Sequence, residues 1–220
     1  MYATLFDFDG VLVDSEPVHL AAFNDALSGL GIRISAQAYA EHYLCLDDAG
    51  VFREALSRAR FTLDEEQVRA LVAAKAPRFM ERFEASFRVF PGARELVLRR
   101  AARGPVGIVS GAFAREIEFA LDKMALRDAV GFIVSADGAA ASKPDPAPYL
   151  AALAALSRAG HGGPVVAIED SLGGVASARA ANVPCVAVAH AYPREALLAA
   201  GAKAVGPSLD ALTDALLEGA

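Results

Sequence analysis

The chain begins with an apolar run, Tyr2-Ala3-Thr4-Leu5-Phe6, that leads straight into Asp7-Phe8-Asp9-Gly10. Alternation over residues 4–8 predicts a strand with Asp7 and Asp9 on one face, and a turn at its end lets both acids converge on one point. From Ser15 to about Phe87 the pattern is helical throughout. Leu20, Phe23, Leu27 and Leu30 recur at helical spacing and stop at Gly31. Ser35 caps a short helix through Leu44, and Asp47 or Asp48 starts another carrying Val51, Phe52, Ala55 and Leu56. Thr62-Leu63-Asp64-Glu65 reads as a capping box that opens a longer helix with Val68, Leu71, Val72, Phe79 and Phe83 inward. Pro77 falls inside that run and should kink or divide it.

From Val89 onward the texture changes. Short apolar runs at 105–109, 132–134, 165–168 and 185–189, with a weaker one at 204–205, alternate with amphipathic helices starting near Pro91, Arg115, Pro146, Gly173, Pro193 and Ser208. Such alternation predicts an α/β fold with a parallel sheet covered on both faces. The helical block is then an insertion between the first strand and the rest, giving a core of residues 1–14 and 88–220 and a helical domain of residues 15–87.

Composition narrows the function. A chain of 220 residues that is 55% hydrophobic can bury one good core plus a small inserted domain, which excludes a disordered segment. The apolar runs are strand-sized, so none reads as a membrane span. The N-terminus lacks a basic stretch, which argues against a signal peptide. Cys45 and Cys185 lie far apart without CxxC spacing and read as small buried thiols in a reducing cytoplasm. The net charge is −6 and the 21 Lys and Arg residues are scattered, so no basic block is present to neutralise a nucleic-acid backbone. Any phosphate recognition must be local.

Four segments carry candidate chemistry. Burying Asp7 and Asp9 at the end of an apolar strand is costly unless a cation or catalytic work compensates. Val165-Val166-Ala167-Ile168-Glu169-Asp170-Ser171 repeats that logic, a buried strand ending in two acids. Ile108-Val109-Ser110-Gly111 ends in a hydroxyl and a glycine, and Ser142-Lys143-Pro144-Asp145-Pro146-Ala147-Pro148-Tyr149 brings a lysine in a proline-rich lead-in to a helix. Hard carboxylate oxygens are what Mg²⁺ prefers, and no Cys/His cluster favours zinc.

Asp7-Phe8-Asp9-Gly10-Val11-Leu12 resembles motif I of the haloacid dehalogenase superfamily of aspartyl-phosphate hydrolases, Asp-x-Asp-Gly-Val/Thr-Leu/Ile. The Ser110, Lys143 and Glu169-Asp170 segments resemble its motifs II, III and IV, in order. The layout is similar to the branch of phosphoglycolate phosphatases and β-phosphoglucomutases, which carries a helical cap after motif I on a Rossmann-like core. The resemblance implies a Mg²⁺-dependent phosphatase acting on a small phosphorylated metabolite. Asp7 would be the nucleophile, and Asp9 the acid and base that also lends its carbonyl to the metal. Ser110 and the Gly111 N–H would bind phosphoryl oxygens, while Lys143 would offset negative charge. Asp170 would ligate Mg²⁺, with Glu169 doing so directly or through water. His19 matches a functional histidine of the mutase branch, whereas His42, His161 and His190 have no motif support and read as structural. A monomer or weak homodimer is expected.

The same residues bear on rival readings. Asp9 argues against a dehalogenase, and nothing around Lys75, the lysine of the helical block, matches a phosphonatase. A mutase must hold a second phosphate, yet Tyr43-Leu44-Cys45-Leu46-Asp47-Asp48 is apolar then acidic, with Cys45 at an expected glycine and no cation before Arg53. A receiver-type phospho-acceptor module disagrees with the large insertion and with the position of Lys143 before the last acidic pair.

Overall fold

The computed structural model describes residues 1–44, 46–62, 64–138 and 140–220. They form two compact units: Ser15–Arg88, and Met1–Asp14 together with Val89–Ala220.

The Ser15–Arg88 unit contains helices α1 (Glu16–Leu27), α2 (Ala36–His42), α3 (Asp48–Arg58) and α4 (Glu65–Ala85). Pro17 sits in the first turn of α1, where its missing N–H costs nothing. Ser35 caps α2 by accepting from Ala38 N at 3.1 Å, and Asp47 caps α3 by accepting from Gly50 N at 2.7 Å. Two expectations need correction. The capping box of α4 lies two residues later than expected: Asp64 Oδ1 accepts from Gln67 N at 2.8 Å and Gln67 Oε1 accepts from Asp64 N at 3.0 Å. Pro77 does not divide α4, which runs unbroken to Ala85. Lys75, Phe79 and Phe83 flank the proline and are all buried, so packing outweighs the proline's local preference and holds both halves in one helix. The core of this unit gathers Phe23, Leu27, Ile34, Tyr39, Val51, Phe52, Leu56 and Val68. Cys45 and Leu63 lie outside the described residues.

The other unit is built on six parallel strands, β1 (Ala3–Phe6), β2 (Val106–Val109), β3 (Phe132–Val134), β4 (Val165–Glu169), β5 (Cys185–Val188) and β6 (Ala204–Gly206), in the order β3-β2-β1-β4-β5-β6. Helices α5 (Ala93–Ala101), α6 (Ala114–Lys123), α7 (Ala147–Arg158), α8 (Leu172–Ala180), α9 (Arg194–Ala200) and α10 (Asp214–Glu218) connect and follow them. Every residue of β1 is buried, as a strand covered on both faces requires. Ala3 and Leu5 join a core with Tyr149, Ala167, Val175 and Ala187. On β1's other face Thr4 Oγ1 accepts from Arg100 Nε of α5 at 3.0 Å. Among the described residues no helix is long and apolar enough to cross a membrane.

The sheet turns from one winding direction to the other at β1, and ligands of open α/β sheets bind at the carboxyl ends of such switch points. Phe6 stands opposite Ile108 of β2 and Ile168 of β4. That register leaves Asp7, Val109 and Glu169 level at one edge of the sheet. The first strand ends at Phe6 rather than Phe8, although Asp7 N still donates to Ile168 O at 2.9 Å.

Candidate active site

Lys143 joins the carboxyl ends of the three central strands. Its Nζ donates to Asp7 Oδ1 at 2.9 Å, to Val109 O at 2.8 Å and to Glu169 Oε1 at 2.6 Å. All three ammonium protons are therefore committed, one to each strand end. The lysine is delivered by a segment whose Lys143–Pro144 peptide is cis, with Pro146 preceding α7 and Pro148 in its first turn.

Carboxylates outnumber the cation. Asp7, Glu169 and Asp170 are all buried, and one oxygen from each can be chosen so that the three lie within 4.8 Å of one another. Burial first, and then the negative charge of Glu169, push Asp7 up from the ordinary 3.8 to about 8, although Lys143 pulls the other way. Burial alone would lower Lys143, but Asp7 and Glu169 outweigh it and hold the ammonium above its ordinary range. Three acids against one lysine leave two formal negative charges in a desolvated site. A divalent cation with a preference for hard oxygen donors balances that charge and matches the donor set. The residues present thus fit a metal ion, held by Asp7 and Asp170 with Glu169 close by.

Glu169 is completely buried. Its Oε1 accepts from Lys143 and also from the Tyr149 hydroxyl at 2.6 Å, while Oε2 accepts from Ser171 Oγ at 3.3 Å. A Cβ added at Gly174 would stand 1.9 Å from Oε2, so only glycine lets α8 approach this carboxylate. Glu169 is consequently anchored by protein donors.

Gly10 shows the same close approach. It adopts φ +75°, and a Cβ there would lie 2.0 Å from Asp170 Oδ2. The turn after β1 is thereby pressed onto the second acidic strand end. Asp9 is half-buried, and its carboxylate is not one of the three clustered groups. Ser110 is buried; its Oγ accepts from Ala112 N at 3.0 Å, which leaves its own proton available to donate. Gly111 is exposed and nothing lies within 4 Å of the position a Cβ would take.

His19 belongs to the Ser15–Arg88 unit. Its Nδ1 lies 2.9 Å from Lys75 Nζ, which is also 2.6 Å from Asp48 Oδ1, and the ring stacks on Phe79 with centroids 4.2 Å apart. Sequence reasoning overlooked the parts played by Tyr149, Ser171 and His190. The first two sit within the quoted motif segments, six residues after Lys143 and next to Asp170, so their spacing was the available signal.

This fold and site define a hydrolase: the chain belongs to the haloacid dehalogenase-like hydrolases, whose family model matches residues 2–182. Particular relatives follow from direct comparison. The phosphoglycolate phosphatase of Rhodospirillum rubrum is 29% identical over 217 residues, covering 96% of this chain and 89% of that protein. Hexitol phosphatase B of Escherichia coli K12 is 31% identical over 189 residues, covering 84% and 82%. Among solved structures, CbbY from Rhodobacter sphaeroides in complex with phosphate superposes with a TM-score of 0.81 at 25% identity, covering 98% of each chain.

Proposed function

We propose that the chain is a Mg²⁺-dependent phosphatase that hydrolyses a small phosphorylated metabolite through an aspartyl-phosphate on Asp7. The observation that carries this reading is the convergence of Asp7, Glu169 and Asp170 around Lys143 at the ends of β1, β2 and β4. The phosphatase relatives and the phosphate-bound structural neighbour support it.

Phosphate monoesters resist attack because a nucleophile must approach an anion, so a catalyst has to gather positive charge and align the reactants. Bound beside Asp7 and Asp170, Mg²⁺ would neutralise charge on the phosphoryl group and keep Asp7 ionised despite its burial. Asp7 attacks phosphorus, Lys143 offsets the charge that gathers, and the Ser110 hydroxyl with the Gly111 N–H receives the phosphoryl oxygens. Asp9, outside the acidic cluster, holds a proton for the leaving alkoxide and then takes one from the attacking water. The Ser15–Arg88 unit serves as the cap that selects the substrate. Asp47 and Asp48 in it are engaged in capping α3 and in pairing with Lys75, and residues 43–48 include no cation to hold a second phosphate. We further propose a cytoplasmic protein, a monomer or weak homodimer, without nucleic-acid or membrane partners.

The test is phosphate release from a panel of monophosphates, with and without chelator. Repeated release that Mg²⁺ restores after chelation is expected, with Ca²⁺ a poor substitute. Turnover that survives exhaustive chelation rules the mechanism out. Conversion of β-glucose 1-phosphate to glucose 6-phosphate without phosphate release, given a trace of the bisphosphate, would make the chain a mutase.

A further inference from the structure

His190 follows β5 by two residues, at the same edge of the sheet as the acidic cluster. Its Nδ1 lies 2.8 Å from Gly10 O. A carbonyl oxygen only accepts, so Nδ1 carries the proton and donates. The ring stacks on Phe90, with centroids 4.0 Å apart and planes 14° from parallel. Phe90 in turn donates its N–H to Leu12 O at 3.0 Å. The turn after β1 is therefore gripped from outside at two points, Gly10 O and Leu12 O, by two residues stacked on each other.

Inside the turn, Gly10 N donates to Val13 O at 2.9 Å, and Leu12 N and Val13 N both reach Phe8 O, at 2.9 and 3.1 Å. None of these bonds uses the Gly10 carbonyl. Glycine restricts its own ψ less than any other residue, so the Gly10–Val11 peptide needs an external partner to stay in one orientation. The stakes are high at this position. Gly10 Cα is pressed against Asp170, and Asp9 is the preceding residue. Because β4 lies between β5 and β1 in the sheet, the His190–Gly10 bond links the strand end on one side of the acid pair to the turn on the other.

We propose that His190 is a positioning residue: its Nδ1–H fixes the Gly10 carbonyl and thereby the aim of Asp9. The proposal rests on the phosphatase reading, in which Asp9 protonates the leaving group. Two variants separate the donor from the ring. His190→Phe keeps an aromatic ring on Phe90 and removes the donor, whereas His190→Asn keeps a nitrogen bonded to Cγ and removes the stack.

With an alkyl phosphate, His190→Phe is expected to lower kcat by about 10–100-fold, the range for a misplaced catalytic group. KM should stay within about twofold, because the interaction acts on the transition state. The loss should be smaller with p-nitrophenyl phosphate, whose leaving group needs little protonation. His190→Asn should recover most of the rate. Full activity in His190→Phe with impairment in His190→Asn would overturn the proposal in favour of ring packing, and an equal loss on both ester types would overturn the link to Asp9.

Amide hydrogen exchange supplies a readout independent of turnover. Faster exchange at Gly10, Leu12 and Val13 in His190→Phe, restored in His190→Asn, supports the clamp; unchanged exchange overturns it. If the parent protein releases phosphate from no monoester, the phosphatase reading falls, and the exchange result alone decides the clamp.

Discussion

Two largely enclosed cations in the same unit meet carboxylates to opposite effect. Near the start of β1, Arg100 is fully buried and donates to Asp214 and to Glu218, each at 2.8 Å, and to Thr4. Arg103 adds two further bonds to Glu218. With Arg99 also 3.4 Å from Asp214, cations there are no fewer than the acids, both carboxylates remain partly open to solvent, and Arg103 first and then Arg100 pull Glu218 from 4.5 down to about 2. At the other end of the strand, one lysine faces three buried acids, and Asp7 is driven upward instead. The first cluster ties the C-terminal helix α10 to the sheet. The second is unbalanced as built, and charge imbalance held in place by packing marks a site made for something else to bind. The direction in which a carboxylate is shifted tells the two apart better than the presence of an ion pair does.

The largest effect expected is at Asp7. Asp7→Asn should lower turnover by ~10³-fold or more, since an amide does not attack phosphorus; phosphate-release assays on the folded variant check it. The same substitution should raise the stability of the cation-free protein at neutral pH. Asp7 titrates at about 8 in the folded chain against an ordinary 3.8, so the folded state holds more protons between those values and stability falls as pH rises through that window. Thermal melts in chelator should therefore show Asp7→Asn above the parent near pH 8, with the gap closing below about pH 4.

Lys143→Met comes next. It should cost about 10²–10³ in kcat, as for loss of one charge-stabilising donor, and should destabilise the protein because Asp7 and Glu169 are left facing each other. Asp170→Ala should raise the Mg²⁺ concentration needed for half-maximal rate sharply, and Glu169→Ala less so, which metal titration measures; the reverse order would overturn the ligand ranking. Arg100→Met is the counterpart at the balanced cluster. It should cost about 3–5 kcal/mol of stability, as for removing one partner of a buried pair, while kcat stays close to the parent value. If Arg100→Met reduced kcat as much as Lys143→Met, the comparison between the two clusters would fail.

The smallest effect expected is at Glu218. Its folded value lies below the ordinary 4.5, so its contribution is complete above that pH and is lost as pH falls toward about 2. Glu218→Gln should flatten the acid limb of the stability profile without touching the neutral range. Denaturant melts across that acid limb check it.

The balanced cluster was invisible in the sequence, whereas much of the unbalanced one was legible. Strand-length apolar runs that end in acids, at Phe6-Asp7 and Ile168-Glu169, break the rule that buried strands end in turn residues, and that violation can be read without coordinates. Arg100 sits in an amphipathic helix and pairs with Asp214 and Glu218 more than a hundred residues away, so no local pattern announces it. The same distance problem hid the Tyr149–Glu169 and His190–Gly10 bonds. Local rules failed differently in the helical unit. Thr62 and Asp64 both suit an N-cap, and the choice between them was made by Gln67, whose side chain returns to Asp64 N. The parallel sheet itself followed from alternation, because strands joined by helical crossovers run parallel.

The proposed mechanism stands or falls on whether Asp7 carries the phosphoryl group during turnover. Mixing the protein with substrate and Mg²⁺, quenching in acid within one turnover and mapping peptides by mass spectrometry tests it directly. A phosphoryl adduct is expected on the peptide containing Asp7, decaying as free phosphate appears, and none in Asp7→Asn. An adduct on another residue, or phosphate release with no adduct at any quench time, would contradict it.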